Sequence, residues 1–325
     1  MVPLAYIGRR VLQAIPLILA IAVGTFVLVH IAPGDVAMML AGEAGGTSEE
    51  ILKSIRAEYG LDRPLVEQLV VYLKKVLVGD LGFSHSYRRP VLEMVLERVP
   101  PTLLLIGSAL VLAIGGGVAL GVLAAWRPSS LLVNAVSALS VFGYATPIFW
   151  TGIMMLLVFS VHLPVFPSHG MATVGGTSGG WWGDVTDVAH HLVLPAVTLG
   201  FVYLALYSRL MRASMLEVLR LDYIRTARAK GVTETWILLK HALRNALLPV
   251  VTMAGVQIGQ VLAGAVLVET VFGWPGMGRL VLDAIFRRDH PLLIGILVLS
   301  SVAVVVVNLV TDLLYGALDP RMRQA

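Results

Sequence analysis

The amino-acid sequence predicts an all-α membrane protein with six transmembrane helices. Hydrophobic residues make up 57% of the 325 residues and charged residues only 14%, whereas about 25% of the residues in an average soluble domain are charged. The charged residues fall in a few blocks, and the apolar stretches between them are about 20 residues long, enough for a helix to cross a bilayer. This composition excludes disordered chains, collagen and soluble Rossmann or TIM-barrel enzymes. Because cysteine is absent, disulfides, a thiolate nucleophile and a Cys-ligated metal centre are excluded as well.

Six apolar segments are the candidates for these helices. The first is too long to be the h-region of a signal peptide, so we predict that it is retained as an uncleaved span. The third is long enough to kink at Pro147, and the fourth is short and contains Pro195, whose freed carbonyl needs another partner. Gly117-x-x-x-Gly121 and Gly255-x-x-x-Gly259 have the spacing that lets helices approach closely. The predicted spans are Val11–Ile31, Thr102–Trp126, Leu131–Val161, Leu192–Tyr207, Leu247–Val268 and Leu292–Leu314.

The distribution of Lys and Arg orients these spans. The loop at 208–246 contains eight Lys and Arg residues against three Asp and Glu, whereas the loop at 162–191 contains no Lys or Arg. Because basic loops stay in the cytoplasm, both termini are predicted to be cytoplasmic and the loop between spans one and two extracytoplasmic. The net charge of +4 therefore reflects orientation rather than nucleic-acid binding. We divide the chain into residues 1–101, the first span with the outer loop, and residues 102–325, a five-helix core with the inner loop.

Two amphipathic helices are predicted in the long outer loop. Thr47 and Glu50 have the spacing of a capping box, and the helix that they begin would end at Tyr59. Asp62 is predicted to cap the next helix, with Pro64 in its first turn. These helices either pack on the spans, which we favour, or receive a partner. The apolar positions of the second helix recur at helical spacing and are Leu65, Leu69, Tyr72, Leu73, Val76 and Leu77.

The sequence carries no signature of an enzyme active site. It has no P-loop and no zinc-protease or serine-hydrolase motif. His190 and His191 are neighbours that do not share a helix face, and together with His162 and His169 they are scattered outer-loop residues that define no nickel site. Asp312 lies near the inner end of its span, whereas a proton- or ion-coupled carrier needs charges at mid-depth. We therefore expect this chain to be no enzyme and to hold no metal or cofactor.

The inner loop is longer than a pore or a carrier needs. Residues 222–230 predict a helix, Gly231 predicts a break, and Thr233 is predicted to cap a second helix. The small side chains of Ala227 and Ala229 leave room for close approach, and the charges beside them can pair with a partner. Two interpretations follow: a solvated basic loop at the lipid surface, or a docking knob for a cytoplasmic partner.

The residues of this loop resemble the EAA-type coupling loop of ABC importer permeases. Arg225–Gly231 (RTARAKG) and His241–Pro249 (HALRNALLP) look like the peptide branch of that family. The sequence differs from the general EAA consensus in two ways. Arg225 and Thr226 stand where the consensus has Glu and the first Ala, and the stretch from Gly231 to the Leu-Pro pair is longer than in sugar permeases. The peptide branch shares both differences. Along nearly its full length, the chain resembles the B-type permease subunit of dipeptide, oligopeptide and nickel importers. The segments that carry this resemblance are Ala32–Asp35, Tyr59–Pro64, Gly79–Ser84, Thr146–Trp150, Glu269–Gly278 and Asp319–Arg321.

The resemblance implies a type I ABC importer permease fold and a transport function. The chain would be the transmembrane permease subunit of an ATP-driven importer that translocates di- or oligopeptides across the cytoplasmic (inner) membrane of a prokaryote. Its implied partners are a second permease subunit, two cytoplasmic ATPases that bind ATP and Mg²⁺, and an extracytoplasmic solute-binding protein. A nickel or other small-solute importer is the alternative, and a stand-alone secondary carrier, which would work without ATP, is a further one.

The resemblance also implies roles for individual residues. Gln257 and Gln260 in span five are candidates for a substrate pathway between the two permeases. The helix near Ala227 and Gly231 would sit in a cleft of one ATPase, so a bulky residue at either position would abolish uptake. The implied ATPase-coupling loop consists of Asp222, Tyr223, Arg225, Thr226, Ala227, Arg228, Ala229, Lys230, Gly231, Val232 and Thr233.

Overall fold

A computed structural model of the chain describes residues 4–31, 48–59, 62–84, 86–126, 138, 142–143, 145–176 and 179–318. Several predicted features lie outside these ranges: the capping residue Thr47, the segments at 32–35 and 319–321, and the beginning of span three at 131–137.

Helices account for nearly all of the secondary structure in these ranges. The one exception among the described residues is a short antiparallel hairpin of β1 (Phe83–Ser84) and β2 (Arg89–Pro90), which the sequence did not predict. The α-helices are α1 (Leu4–Ile31), α2 (Glu49–Tyr59), α3 (Leu65–Leu77), α4 (Val91–Trp126), α5 (Ile148–Leu156), α6 (Gly180–Val218), α7 (Asp222–Ala229), α8 (Glu234–Trp236), α9 (Leu243–Val271), α10 (Met277–Arg287) and α11 (His290–Leu318). A first π-helix, Leu157–His162, follows α5, and a second, Ile237–Ala242, joins α8 to α9.

The chain forms two compact units. Unit one comprises residues 1–99 and 280–313, and unit two comprises residues 100–279 and 314–325. The division that we predicted after residue 101 follows chain order alone, whereas unit one also takes in residues 280–313, which are most of α10 and of α11.

Several helices are suited to a membrane. Within the described ranges, the helices that are long and apolar enough to cross a membrane lie at Val91–Trp126, Gly180–Val218, Glu234–Gly255 and His290–Leu309. Shorter apolar helices lie at Ile15–Val27, Ile148–His162 and Gly259–Val271, which are parts of predicted spans one, three and five. The count of six spans and the cytoplasmic termini stay predictions.

Span four lies in a longer helix than its apolar core indicated. α6 is 39 residues long and continues through Pro195, which is buried among neighbouring helices. Polar and aromatic residues at both ends hid this length from a pattern based on hydropathy.

Within unit one, the second outer helix packs on the first predicted span. The rings of Tyr72 in α3 and Phe26 in α1 lie 5.7 Å apart, and Nε2 of His30 lies 3.2 Å from Oε1 of Gln68. Burial in this contact raises the pKa of the Tyr72 phenol to about 12. The favoured prediction, packing on the spans, is confirmed for α3.

The predicted cap of α3 is wrong. Asp62 makes no cap, because the helix begins at Leu65 and Pro64 occupies the N-cap position. The carbonyl oxygen of Pro64 accepts the first helical hydrogen bonds, from the N–H groups of Glu67 and Gln68 at 2.9 and 3.1 Å. Asp62 lies two residues before the N-cap position, and the proline there has no side-chain oxygen to accept a cap hydrogen bond.

Unit one also ties the hairpin to the start of α11. The hydroxyl of Ser84 donates a hydrogen bond to the buried carboxylate of Asp289, whose other oxygen accepts from the N–H of Leu292 at 3.1 Å. Asp289 thereby caps α11, while Gly295 gives the side chain of Val91 room to pack against the helix backbone.

Glycines bring α4 and α6 together in unit two. A Cβ atom on Gly117 would lie 2.6 Å from Cβ of Tyr207, and one on Gly121 would lie 2.6 Å from Cβ of Met211. The close approach predicted from this G-x-x-x-G spacing is therefore confirmed. For the second pair, a Cβ atom on Gly259 would meet nothing of this chain within 4 Å, so the close approach predicted there stays a prediction.

Candidate functional site

α7 lies within the segment predicted as the inner loop and is anchored by one apolar face. Ile224 is completely buried, and Ala227, three residues further on, is half-buried. Both belong to the packing of the unit-two core, together with Ile237 and Leu238 of the second π-helix. Residues three apart share a helix face, so this face fixes α7 to unit two, and the opposite face is turned outward.

Gly231 ends α7 through its backbone conformation. Its φ is 78°, a left-handed value that costs other L-residues about 1–2 kcal/mol. The N–H of Gly231 donates to the carbonyl of Arg228 at 2.9 Å, and the N–H of Val232 donates to the carbonyl of Ala227 at 3.2 Å. These two bonds form a Schellman motif, with glycine at the C′ position. A Cβ atom on Gly231 would meet nothing within 4 Å, so the glycine serves the turn and crowds no neighbour within this chain.

The outward face of α7 is polar and charged. Arg228 pairs with Glu234 across the turn, with Nε 2.7 Å and Nη2 3.3 Å from the two carboxylate oxygens, and this hydrogen bonding raises the pKa of the Arg228 guanidinium. Arg225 pairs with Asp222 at 3.2 Å. Exposed ion pairs add little stability, so their main effect is to shape the surface. The predicted loop residues exposed on it are Asp222, Tyr223, Arg225, Thr226, Arg228, Ala229, Lys230, Gly231 and Thr233.

The structure separates the two small residues of the loop. Ala229 is exposed at the tip of α7, whereas Ala227 is turned towards the core. A bulky residue at Ala227 would therefore disturb the packing of α7 itself, and Ala229 is the position that a partner can contact.

Thr233 precedes α8 without capping it. It occupies the N-cap position with extended backbone, φ −64° and ψ 145°, but its side chain makes no cap hydrogen bond. The predicted helix start is confirmed and the predicted cap is wrong. The carbonyl of Thr233 instead accepts a bond from the N–H of Ile237 at 3.0 Å.

The two glutamines of α9 bond to each other. Nε2 of Gln257 donates to Oε1 of Gln260 at 2.7 Å. Gln257 is buried, and its own Oε1 has no hydrogen-bond partner among the residues that the structure describes, whereas Gln260 is exposed. Exposed residues of α9 continue along one side of the helix and are Thr252, Gly259, Gln260, Ala263, Leu267 and Thr270.

A buried carboxylate, Glu269, organises the turn after α9. One oxygen accepts a hydrogen bond from the hydroxyl of Thr102 at 2.6 Å. The other accepts from the N–H groups of Gly278 and Arg279, at 2.7 and 3.2 Å. The hydroxyl of Thr102 in turn accepts from the N–H of Met277 at 2.8 Å. Glu269 thus satisfies the free N–H groups at the start of α10, where negative charge is favoured.

The other residues of the Glu269–Gly278 segment complete this turn. The indole N–H of Trp274, which is fully buried, donates to the carbonyl of Pro101 at 2.9 Å. A Cβ atom on Gly276 would collide with the Glu269 carboxylate, and one on Gly278 would lie 2.5 Å from Cα of Val266. From the sequence alone, this segment stands out only as a motif. The one signal it offered was an ionisable residue at the end of an apolar run.

Three of the histidines singled out in the sequence make contacts within the chain. His190 donates to the carbonyl of Val165 at 2.9 Å, and Nδ1 of the buried His191 lies 3.4 Å from the carboxylate of Asp187. His169 packs against the backbone of Gly273. In the described ranges, no group of three or more His, Cys, Asp or Glu side chains could hold a metal ion.

Comparison with known proteins identifies the family. Residues 117–324 match the model of the binding-protein-dependent transport system inner membrane component, and residues 3–106 match the N-terminal model of the same kind of membrane component. The chain is 42% identical to the dipeptide transport system permease protein DppB of Escherichia coli K12, over 98% of this chain and 99% of that protein. It is 41% identical to the glutathione transport system permease protein GsiC of the same strain, with the same coverage.

A solved structure agrees with this assignment at the level of the fold. A chain of the MetNI methionine ABC transporter, in an inward-facing conformation, superposes with a TM-score of 0.55 at 19% identity and covers 70% of this chain and 96% of that one. This likeness shows the fold alone, that of a type I ABC importer permease. The chain therefore belongs to the family of binding-protein-dependent transport system inner membrane components, in the dipeptide/oligopeptide group of ABC importer permeases, and is a multi-pass protein of the inner membrane.

Proposed function

We propose that this chain is the permease subunit of an ATP-driven importer of di- or oligopeptides. The observation that carries the proposal is the docking knob: α7 is fixed to unit two by Ile224 and ended by Gly231, and it presents Ala229 and a charged surface outward. The names of two relatives, a dipeptide permease and a glutathione permease, support small peptides as the cargo.

The membrane permeases of this family work with ATPase subunits in a membrane complex, and the chain itself has no P-loop. We place ATP and Mg²⁺ in two cytoplasmic ATPases, one of which receives α7 in a cleft. A second permease subunit and an extracytoplasmic solute-binding protein complete the proposed complex. In this arrangement the chain crosses the membrane six times, with both termini in the cytoplasm.

In the proposed mechanism, α7 converts closure of the ATPases into movement of the spans. ATP favours the closed ATPase pair, and a ligand shifts a two-state protein only through such differential affinity. Because α7 is packed on unit two, a pull on its outward face moves the attached helices as a body, and the permease alternates between inward- and outward-facing states.

The exposed side of α9 is the proposed boundary of the substrate pathway. A carboxamide facing lipid would leave polar groups without partners, which is costly in hydrocarbon, so the side that carries Gln260 requires a second permease or a water-filled path. The hydroxyls of Thr252 and Thr270 donate to carbonyls of their own helix at 2.9 and 2.7 Å and need no outside partner. Gln257 and Gln260 offer both donors and acceptors, as the peptide groups of a cargo do.

Replacing Ala229 with tryptophan tests the docking knob. Since Ala229 is exposed, Ala229→Trp leaves the fold of the chain intact but blocks close approach of an ATPase. We expect the variant to insert normally into the membrane, to lose copurification of the ATPase subunits and to lose peptide uptake. Ala57→Trp, at another exposed alanine, in α2, is the matched control and should retain both. Normal copurification and uptake by Ala229→Trp would reject the assignment of α7.

A further inference from the structure

The connection between α7 and span five contains a pliable segment. The chain passes through Gly231 and then through the second π-helix, Ile237–Ala242, before α9 begins at Leu243. π-Helices are rare and usually occur at functional positions, and they are among the few places where a long helix bends. If a movement of α7 were transmitted only through the covalent chain, this segment would bend and α9 would not follow.

Tyr223 bridges this segment from the side. Its hydroxyl donates a hydrogen bond to the carbonyl of His241, inside the π-helix, at 3.3 Å. The same oxygen accepts a bond from Nδ2 of Asn245, in the first turn of α9, at 2.8 Å. One side chain of α7 is thereby linked both to the π-helix and to the helix of span five.

Apolar packing on the other side of α7 gives the bridge a fixed base. Ile224, the residue after Tyr223, is fully buried in the same core as Ile237 and Ala242. Tyr223 itself is 40% exposed, and its hydroxyl makes the specific contacts with the π-helix and α9.

We propose that Tyr223 and Asn245 form a strut that transmits the movement of α7 to span five. This inference rests on the proposed function and assigns Tyr223 a role different from docking: it positions α9 relative to α7 and does not contact the ATPase through its hydroxyl. A positioning residue of this kind controls how much transport each ATP produces, while assembly depends on the rest of the outward face.

Removal of the hydroxyl tests the strut in the complete transporter. The complex of this chain with its partner permease, ATPases and binding protein is reconstituted in proteoliposomes, and dipeptide transport is measured per ATP hydrolysed. Tyr223→Phe keeps the ring and removes both hydrogen bonds. We expect the ATPase to copurify as with the wild type, and the transport-to-hydrolysis ratio to fall by about fivefold to thirtyfold, the effect of losing one to two hydrogen bonds of ordinary strength.

Tyr87→Phe is the matched control, because Tyr87 lies in the outer loop, where its ring faces Arg287. It should leave the ratio unchanged. Asn245→Ala, which removes one of the two hydrogen bonds, should also lower the ratio, and the double variant should be no worse than Tyr223→Phe, because that change alone already breaks the bond to Asn245.

Three outcomes would overturn the strut. The first is a normal ratio for Tyr223→Phe, the second is additive losses in the double variant, and the third is loss of ATPase copurification with Tyr223→Phe, which would make Tyr223 a docking contact. All of them leave the proposed function standing, since none changes what the wild-type chain does; that function fails if the wild-type chain brings down no ATPase or transports without ATP.

Discussion

Glu269 is the residue whose chemistry most constrains its surroundings. Its two oxygens accept hydrogen bonds from Thr102, Gly278 and Arg279 in a fully buried position. In Glu269→Gln, an NH2 group replaces one of the two carboxylate oxygens. This group is a hydrogen-bond donor and must face a neighbouring group that is also a donor. We expect a loss of about 2 kcal/mol or more in stability, because a buried donor is left without a partner. Heating of the detergent-solubilised protein, followed by size-exclusion chromatography, measures this loss. The exposed Glu217→Gln is the control, and equal heat resistance of both variants would contradict the role of Glu269.

Single residues were predictable where the rule was local. Gly231 was predicted as a helix end and is one, because a left-handed C′ residue is required by the backbone bonds of the turn itself. Asp62 and Thr233 were predicted as caps and make none, because Pro64 holds the N-cap position of α3 and the side chain of Thr233 does not bond the N–H groups of α8. Glu269 and Thr102 are 167 residues apart in the chain, and no local pattern indicates that they meet.

At the scale of elements, the contact between α4 and α6 depends on a glycine row. A Cβ atom on Gly121 would lie 2.6 Å from Cβ of Met211 and 2.7 Å from the carbonyl oxygen of Ser208, so Gly121→Ala forces the two helices apart. We expect a loss of about 1–3 kcal/mol, as for other overpacked cores, together with reduced uptake.

Gly115→Ala is the matched control in the same helix, because a Cβ atom there would meet nothing within 4 Å. A thermal stability assay on the purified variants should place Gly115→Ala with the wild type and Gly121→Ala well below it. Equal stability of the two variants would show that α4 and α6 do not pack through this row.

The apolar pattern predicted the existence of elements better than their details. It identified α3, whose residues Leu69, Tyr72, Leu73 and Val76 are all half-buried, but the helix ends Leu65 and Leu77 are exposed. Both π-helices escaped prediction, because a wider helical turn leaves the apolar spacing almost unchanged over six residues.

At the scale of the whole molecule, the sequence carries two kinds of information. The position of Lys and Arg predicts the orientation, and the order of short motifs along the chain indicates the permease family, which the comparisons confirm. The grouping of residues 280–313 with residues 1–99 could not be predicted, because it depends on contacts such as Ser84 with Asp289, which no single segment encodes.

The central claim is that this chain transports peptides only as part of an ATP-driven complex. The most direct measurement compares dipeptide accumulation by two kinds of proteoliposome. The first holds the complete complex, with binding protein outside and ATP on the ATPase side, and the second holds this chain alone. We predict ATP-dependent accumulation in the first and none above empty liposomes in the second. Accumulation by the chain alone, or accumulation by the complex without ATP, would contradict the account and identify a secondary carrier.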